Sequence, residues 1–181
     1  LYTLMEEIHQ RTLLSYKIII QHLYGLDISA VSIGRAKILL ALGALQHGET
    51  IEENDFHLLC GDATTYDFKA IPTVATNDGF DIIVGNPPYV RSKNINTEAK
   101  KNLSLWETSK VGNADLYIPF FVIGMTLLNA NGLLGYITVN TFFKSVNARS
   151  LRNYFSKNQL SLSIIDFGEQ LVFKKKLAYT C

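Results

Sequence analysis

The residues best suited to chemistry in this chain are Asn86-Pro87-Pro88-Tyr89, which directly follow the hydrophobic run 80–85. That run is apolar and rich in β-branched residues, as a strand buried on both faces requires. The prolines end the strand because neither has an N–H to donate to a ladder. The resulting turn presents an amide side chain, proline carbonyls and an aromatic ring. This set suits a flat heterocycle that bears an exocyclic amine.

Polar side chains also stand at the carboxyl ends of other predicted strands: Asp27, Asp62 and Asn140. In open parallel sheets, ligands bind beyond the carboxyl ends of the strands. We therefore expect these side chains to converge with Asn86 on one edge of a sheet.

The elements that must position these residues alternate between strand and helix. This alternation predicts an α/β fold with a mostly parallel sheet and helices on both faces. The predicted strands cover residues 22–28, 57–62, 80–85, 133–140 and 160–167. The predicted helices cover residues 4–21, 30–46, 114–129 and 146–157, with Ser29 as the N-cap of the second. The remaining segments predict a loop over 71–79, a long polar loop with a short helix over 91–113, a turn at 131–132 and the start of a last strand within 172–181.

Composition limits the classes of protein that the chain can belong to. Its 181 residues predict a single domain over residues 1–181, and 48% hydrophobic with 18% charged residues argue against disorder. A net charge of +1 gives no global case for nucleic acid binding, so any DNA-binding charge must be local or lie elsewhere. The two cysteines suggest no disulfide framework, which fits a reducing cytoplasm. No apolar run is long enough to span a membrane, and no histidine spacing is typical of a metal site, so we expect neither a membrane nor a metal.

At Asn-Pro-Pro-Tyr the chain resembles the N6-adenine DNA methyltransferases that use S-adenosylmethionine. It is most similar to the methylase part of type II restriction–modification enzymes, from about Tyr24 onward. The resemblance implies a Rossmann-like methyltransferase fold that is incomplete. The first strand with its Gly-rich cofactor loop and the target-recognition domain have no counterpart, and a chain that begins with Leu1 predicts an excerpt of a longer protein. We therefore expect a gap in the sheet, weak or no cofactor binding and no activity from this chain alone, and edges that another copy could cover by self-association.

The resemblance assigns the catalytic roles to the tetrapeptide. The Asn86 side-chain carbonyl and the Pro87 backbone carbonyl accept hydrogen bonds from the adenine N6 amine, and Pro88 keeps the turn rigid. Tyr89 stacks on the adenine, which must flip out of the double-stranded DNA to reach the site. Positioning and electrostatics would carry the rate, since the methyl group is already activated.

The resemblance also places the cofactor. Asp27 corresponds to the residue that holds the ribose of S-adenosylmethionine, the next residue, Ile28, is assigned to the same cofactor site, and Asp62 and Ala63 lie near the cofactor adenine. From the residues alone, Asp27 could instead cap the helix that starts at 30, and Asp62 could be a turn residue.

Three further residues are predicted to contact DNA. Phe173 corresponds to an aromatic residue that packs edge-on against the flipped adenine, although a core position is an alternative. Arg91 and Lys174 are candidates for phosphate contacts, with a solvated loop as the alternative for Lys174. Asn140 and the phenylalanines after it could either wall the pocket or serve packing.

Other functions remain open on sequence grounds. Relatives with the same tetrapeptide methylate RNA or a protein glutamine, and a non-catalytic remnant could bind DNA or support assembly. The long polar segment 91–113 and the match that continues through Phe173 favour DNA.

Overall fold

The computed structural model describes residues 1–77, 79–109 and 114–168. The chain divides into two compact units, one over residues 1–66 and one from residue 67 onward. Each unit has its own parallel strand pair and its own hydrophobic core. That residues 1–181 form a single domain stays a prediction. None of the described helices is long and apolar enough to cross a membrane.

The first unit places helices before and after the first strand of a parallel pair. Its elements are α1 (Tyr2–Thr12), α2 (Tyr16–His22), β1 (Tyr24–Asp27), α3 (Ala30–Gln46) and β2 (His57–Cys60). β1 and β2 pair in parallel, with Asp27 opposite Cys60. α3 covers the predicted range because the Ser29 hydroxyl accepts the Ser32 N–H at 3.2 Å. The core consists of Met5, Tyr16, Ile19, Ile20, Leu23, Leu40, Ala44 and Leu58.

Residues 4–21 are mostly helical, as the sequence predicted, but the chain breaks between α1 and α2. Leu13 has a left-handed conformation, with φ 58°, and ends α1. Glu49 then accepts the Tyr16 and Lys17 N–H groups at 2.9 and 2.8 Å at the start of α2. Burial raises the pKa of Glu49, but the N–H bonds from Lys17 and Tyr16, together with the Ser15 side chain and nearby His9, bring the pKa below its usual value. The break thus depends on a carboxylate more than 30 residues away along the chain.

The second unit pairs its strands in parallel as well. Its elements are α4 (Pro72–Asn77), β3 (Phe80–Gly85), α5 (Thr97–Leu103), α6 (Tyr117–Leu127), β4 (Leu128–Tyr136) and α7 (Arg149–Lys157). The parallel arrangement predicted from the sequence is confirmed, and the described strands form two two-stranded sheets rather than one four-stranded sheet. The core consists of Ala114, Tyr117, Ile118, Val139, Phe142, Ala148, Leu151 and Phe155.

The fourth strand is shifted relative to the prediction. β4 begins at Leu128, before the predicted turn at 131–132, and ends at Tyr136, so Asn140 starts a 3₁₀ turn (Asn140–Phe143) rather than ending a strand. Between the pairs Phe80–Leu128 and Ile82–Leu133 the register shifts, and β4 accommodates extra residues there. The predicted turn residues therefore lie in an irregularity, an excursion of extra residues, inside the strand.

Two other predictions are corrected by the structure. Residues 71–79 contain the short helix α4, because Pro72 stands at its first position, where a missing N–H costs nothing. Residues 160–167 form no strand, although they are rich in β-formers. Within the described part of the chain no strand lies alongside them, and Ile165 is 71% exposed. A strand needs a neighbour for its backbone groups, so propensity alone does not produce one.

Gly79, which precedes β3, packs against the backbone at the start of β4, so a substitution there tests the close packing of the strand pair. Its φ is +125°, and an added Cβ would lie 2.6 Å from the Asn129 nitrogen. We expect Gly79→Ala to lower the free energy of unfolding by about 2 kcal/mol, from backbone strain and this clash. The matched control is Gly34→Ala in α3, where a Cβ meets nothing within 4 Å. It should raise stability by up to about 1 kcal/mol through helix propensity. Denaturant titration measures both, and equal midpoints for Gly79→Ala and the wild type would contradict the prediction.

Candidate functional site

The Asn86-Pro87-Pro88-Tyr89 turn leaves the carboxyl end of β3, as the sequence predicted. The Asn86 side chain is exposed and Pro87 is buried. Among the backbone hydrogen bonds of the described residues, none uses the Pro87 carbonyl. The amide and this carbonyl are therefore two acceptors at the end of one strand.

Tyr89 ties this turn to the chain that leaves β4. Its hydroxyl lies 2.9 Å from the Ile137 carbonyl and also within hydrogen-bond reach of the Asn86 side-chain oxygen. Its ring is half-buried and packs against the core of the second unit. A phenol carries one proton, so the hydroxyl donates to one of these two oxygens at a time. The Asn86 oxygen is left available whenever Tyr89 donates to Ile137.

The end of β3 lies close to the end of β4. The Gly85 carbonyl accepts the Ile137 N–H at 3.1 Å, and a Cβ on Gly85 would stand 3.0 Å from the Tyr136 ring. The Tyr136 hydroxyl reaches the Phe120 carbonyl at 3.3 Å, and burial raises the pKa of Tyr136 to about 12. Tyr136 therefore stays protonated and acts as a donor under the turn.

A polar cleft of about 620 Å³ lies in the second unit, lined by residues that follow β3 and β4. Asn140 and Phe143 are among its lining residues, whereas Phe142 is buried in the core. Packing, one of the two roles left open for this segment, therefore applies to Phe142, while Asn140 and Phe143 line this cleft. The polar and charged lining includes Arg91, Asp115, Asn140, Lys144, Ser145, Asn147 and Asp166.

Side-chain to backbone hydrogen bonds fix the walls of the cleft. Asp115 accepts the Ser92 N–H at 2.9 Å and lies 3.5 Å from the Asn147 side-chain nitrogen. Arg152 donates to the carbonyls of Phe142 at 2.6 Å and Ser145 at 2.8 Å. Sequence reasoning matched Asp115 only as part of a pattern and missed Arg152. The sequence did offer one signal for Arg152: it follows Leu151, a core residue of the predicted helix 146–157, and this helix comes after a polar loop.

The candidate cofactor residues of the first unit lie past the paired ends of β1 and β2. Asp27 is exposed, and one of its carboxylate oxygens accepts the Ser29 N–H at 2.7 Å. Ile28 is 74% exposed. Asp27 thus forms a turn around the start of α3, while Ser29 is the N-cap.

Asp62 and Ala63 follow β2 in the same unit, and both are half-buried. One Asp62 oxygen accepts the Thr64 N–H at 2.8 Å and the Thr64 hydroxyl at 2.7 Å. The turn role that the sequence left open for Asp62 is therefore present.

Of the three predicted DNA contacts, Arg91 lies within the described residues. Phe173 and Lys174 lie outside the described residues. Arg91 is exposed and lines the cleft, as a phosphate contact requires. Among the described residues no group of three or more His, Cys, Asp or Glu side chains could hold a metal ion.

A known protein family matches the part of the chain that carries this site. The family model of the Eco57I restriction-modification methylase matches residues 21–173. This range includes β1 through α7 together with the Asn-Pro-Pro-Tyr turn.

Individual relatives agree with the family match. The chain is 31% identical to the type II restriction enzyme and methyltransferase RM.Eco57I of Escherichia coli, over 80% of this chain and 14% of the relative. It is 35% identical to the type II methyltransferase M.BstVI of Geobacillus stearothermophilus, over 54% of this chain and 18% of the relative. It is 36% identical to the type II methyltransferase M.HincII of Haemophilus influenzae, over 52% of this chain and 19% of the relative. The matched region thus spans under a fifth of each relative.

A solved structure supports the fold. The Type IIL restriction-modification enzyme MmeI, determined in complex with DNA, is similar with a TM-score of 0.60 over 76% of this chain and 20% of that chain. The sequence identity is 16%, so the likeness concerns the fold. The expected Rossmann-like methyltransferase fold, incomplete in this chain, is confirmed at this level.

The Tyr89 hydroxyl provides a direct test of the tie between the turn and β4. We expect Tyr89→Phe to lower the free energy of unfolding by about 1 kcal/mol, because a part-buried hydrogen bond to Ile137 is lost while the ring stays. Tyr154→Phe is the control, since this half-buried ring packs against the same core and its hydroxyl forms no hydrogen bond among the described residues. Denaturant titration compares the two variants. The prediction fails if both are as stable as the wild type.

Proposed function

Since this chain belongs to the Eco57I restriction-modification methylase family, we propose that the full-length protein methylates the N6 amine of adenine in a specific DNA sequence, with S-adenosylmethionine as the donor. The reaction would be the modification activity of a type II restriction–modification system. The observation that carries the proposal is the exposed Asn86 amide beside the Pro87 carbonyl at the end of β3.

The proposed chemistry follows from the weakness of the adenine amine as a nucleophile. Its lone pair is delocalised into the ring, so the nitrogen must be drawn toward tetrahedral geometry. Asn86 and Pro87 accept hydrogen bonds from the two N6 hydrogens and favour that geometry. Tyr89 then donates its hydrogen bond to the Ile137 carbonyl, 2.9 Å away, and leaves the Asn86 oxygen to the substrate. The rigid prolines hold both acceptors in place, so little reorganisation accompanies the reaction.

The adenine must leave the DNA duplex before it can reach these acceptors. Its target atom is inaccessible in stacked, paired DNA, and enzymes that modify bases extrude the nucleotide into a pocket. The Tyr89 ring beside the acceptors is the proposed stacking surface, with Phe173 as the edge-on partner. Double-stranded DNA is accordingly the proposed partner of the full-length protein.

The cofactor would be held in part by the first unit. Asp27 offers an exposed carboxylate with one oxygen engaged by Ser29, which leaves capacity for ribose hydroxyls. The exposed apolar side chain of Ile28 suits a purine face, and Asp62 with Ala63 lies past the neighbouring strand. These residues fit the nucleoside part of S-adenosylmethionine, which supplies an activated methyl group when it is bound.

Asn86→Ala in the full-length protein tests the catalytic assignment. We expect the rate of N6-methyladenine formation in DNA to fall by about 10²- to 10³-fold, because one acceptor aimed at the reacting amine is lost. The control is Asn153→Ala, at another exposed asparagine, on α7, which should leave the rate unchanged. Radiolabel transfer followed by nucleoside analysis measures the product. Labelling of RNA or of a protein glutamine, with DNA unlabelled, would move the function to those substrates; no transfer to any substrate would favour a non-catalytic remnant.

Asp27→Ala tests the cofactor assignment. We expect the Kd of the full-length protein for S-adenosylmethionine to rise roughly 10- to 100-fold, the loss typical of hydrogen bonds to a charged group. Glu7→Gln removes one exposed negative charge from the same unit and should leave the Kd unchanged. Isothermal titration calorimetry measures both constants. A wild-type Kd for Asp27→Ala would rule out ribose binding by this carboxylate.

A further inference from the structure

The catalytic assignment does not account for the cleft of the second unit or for the cations that line it. It is lined by Arg91, shortly after the Asn-Pro-Pro-Tyr turn, and by the segment 140–147, which follows β4. Because β3 and β4 are parallel, both walls come from chain that leaves the same edge of the strand pair. The cleft therefore belongs to the same edge as Asn86.

The cations of the cleft are available to a ligand. Arg91 and Lys144 are exposed, and neither forms an ion pair within the described residues. They come from different segments and line one cleft. Two unpaired cations facing a polar cleft suit an anion.

The acids of the cleft are already engaged by neighbouring groups. Asp115 accepts the Ser92 N–H at 2.9 Å and faces the Asn147 amide at 3.5 Å. Asp166 accepts the Gly168 N–H at 2.9 Å and faces the Asn140 amide at 3.4 Å. Neutral donors thus occupy acceptor positions of both carboxylates, whereas neither cation is engaged in an ion pair within the described residues.

The backbone on both sides of Lys144 is held in place before any ligand arrives. Arg152 donates to the carbonyls of Phe142 and Ser145, which flank Lys144 in the chain. Ser145 also accepts the Asn147 N–H at 3.2 Å. A braced loop that carries a lysine loses little conformational entropy when it binds.

We propose that this cleft binds the phosphodiester backbone of the DNA strand that carries the target adenine, with Lys144 and Arg91 as the phosphate-binding cations. The proposal rests on the proposed function, since a base held at Asn86 keeps its flanking phosphates close to this edge. It also supplies two cations without ion-pair partners among the described residues, in a chain whose net charge is only +1. The contacts position the strand and read no sequence.

The salt dependence of DNA binding tests the cleft. For the full-length protein, we measure the Kd for DNA duplexes of several sequences over a range of salt concentrations. Lys144→Gln should reduce the slope of log K against log salt by about 0.9, the value for one phosphate contact, and should weaken binding to every sequence alike. Lys144→Arg should retain the wild-type slope because the charge remains.

Lys157→Gln is the matched control, since this lysine lies in the same unit and pairs with Glu107 outside the cleft. Its slope should equal that of the wild type. Unchanged S-adenosylmethionine binding by Lys144→Gln shows that the variant is folded. If Lys144→Gln keeps the slope of the wild type, while the wild type methylates DNA, the phosphate-binding role of the cleft is overturned and the proposed function stands. A wild type that neither binds nor methylates DNA overturns the proposed function as well, and a loss confined to one sequence replaces the phosphate contact with a base contact.

Discussion

The parallel pairing of β3 with β4 is the constraint on which the candidate site depends. It places the chain that leaves β3 beside the chain that leaves β4, and the bond between Gly85 and Ile137 extends this contact past the end of the ladder. Tyr89 adds a second tie to the same residue, because its hydroxyl donates to the Ile137 carbonyl. The acceptors at Asn86 and Pro87 are therefore held by the register of two strands, and a shift of one residue would displace them.

Beyond the strands, single side chains set the shape of the irregular segments. Asp115 joins the chain after the tetrapeptide to the segment before α7, and Arg152 holds the loop after β4 through two carbonyls. Charge-assisted bonds of this kind are stronger than neutral ones. They explain how a region with little regular structure can present Arg91 and Lys144 in a defined cleft.

The first unit uses the same device for a different purpose. Glu49 fixes the start of α2 through two N–H groups, while Asp27 shapes the turn into α3 through Ser29. In both cases a carboxylate satisfies backbone donors that a helix start leaves unpaired. Asp27 nevertheless stays exposed at the end of β1, so its role in the turn is compatible with binding a ligand there.

The sequence by itself determined the elements whose local signals agree, and the site built directly on them. The apolar run 80–85 with its proline stop, and α3 with its Ser29 cap, occupy their predicted ranges because propensity, pattern and capping coincide. Only the tertiary structure decided the break between α1 and α2, the excursion in β4 and the absence of a strand at 160–167. Each of these depends on a partner distant along the chain: Glu49 for the break, β3 for the excursion, and a neighbouring strand for the segment 160–167. Arg152 and the cleft it braces belong to the same class, since their geometry arises from contacts that no local pattern encodes.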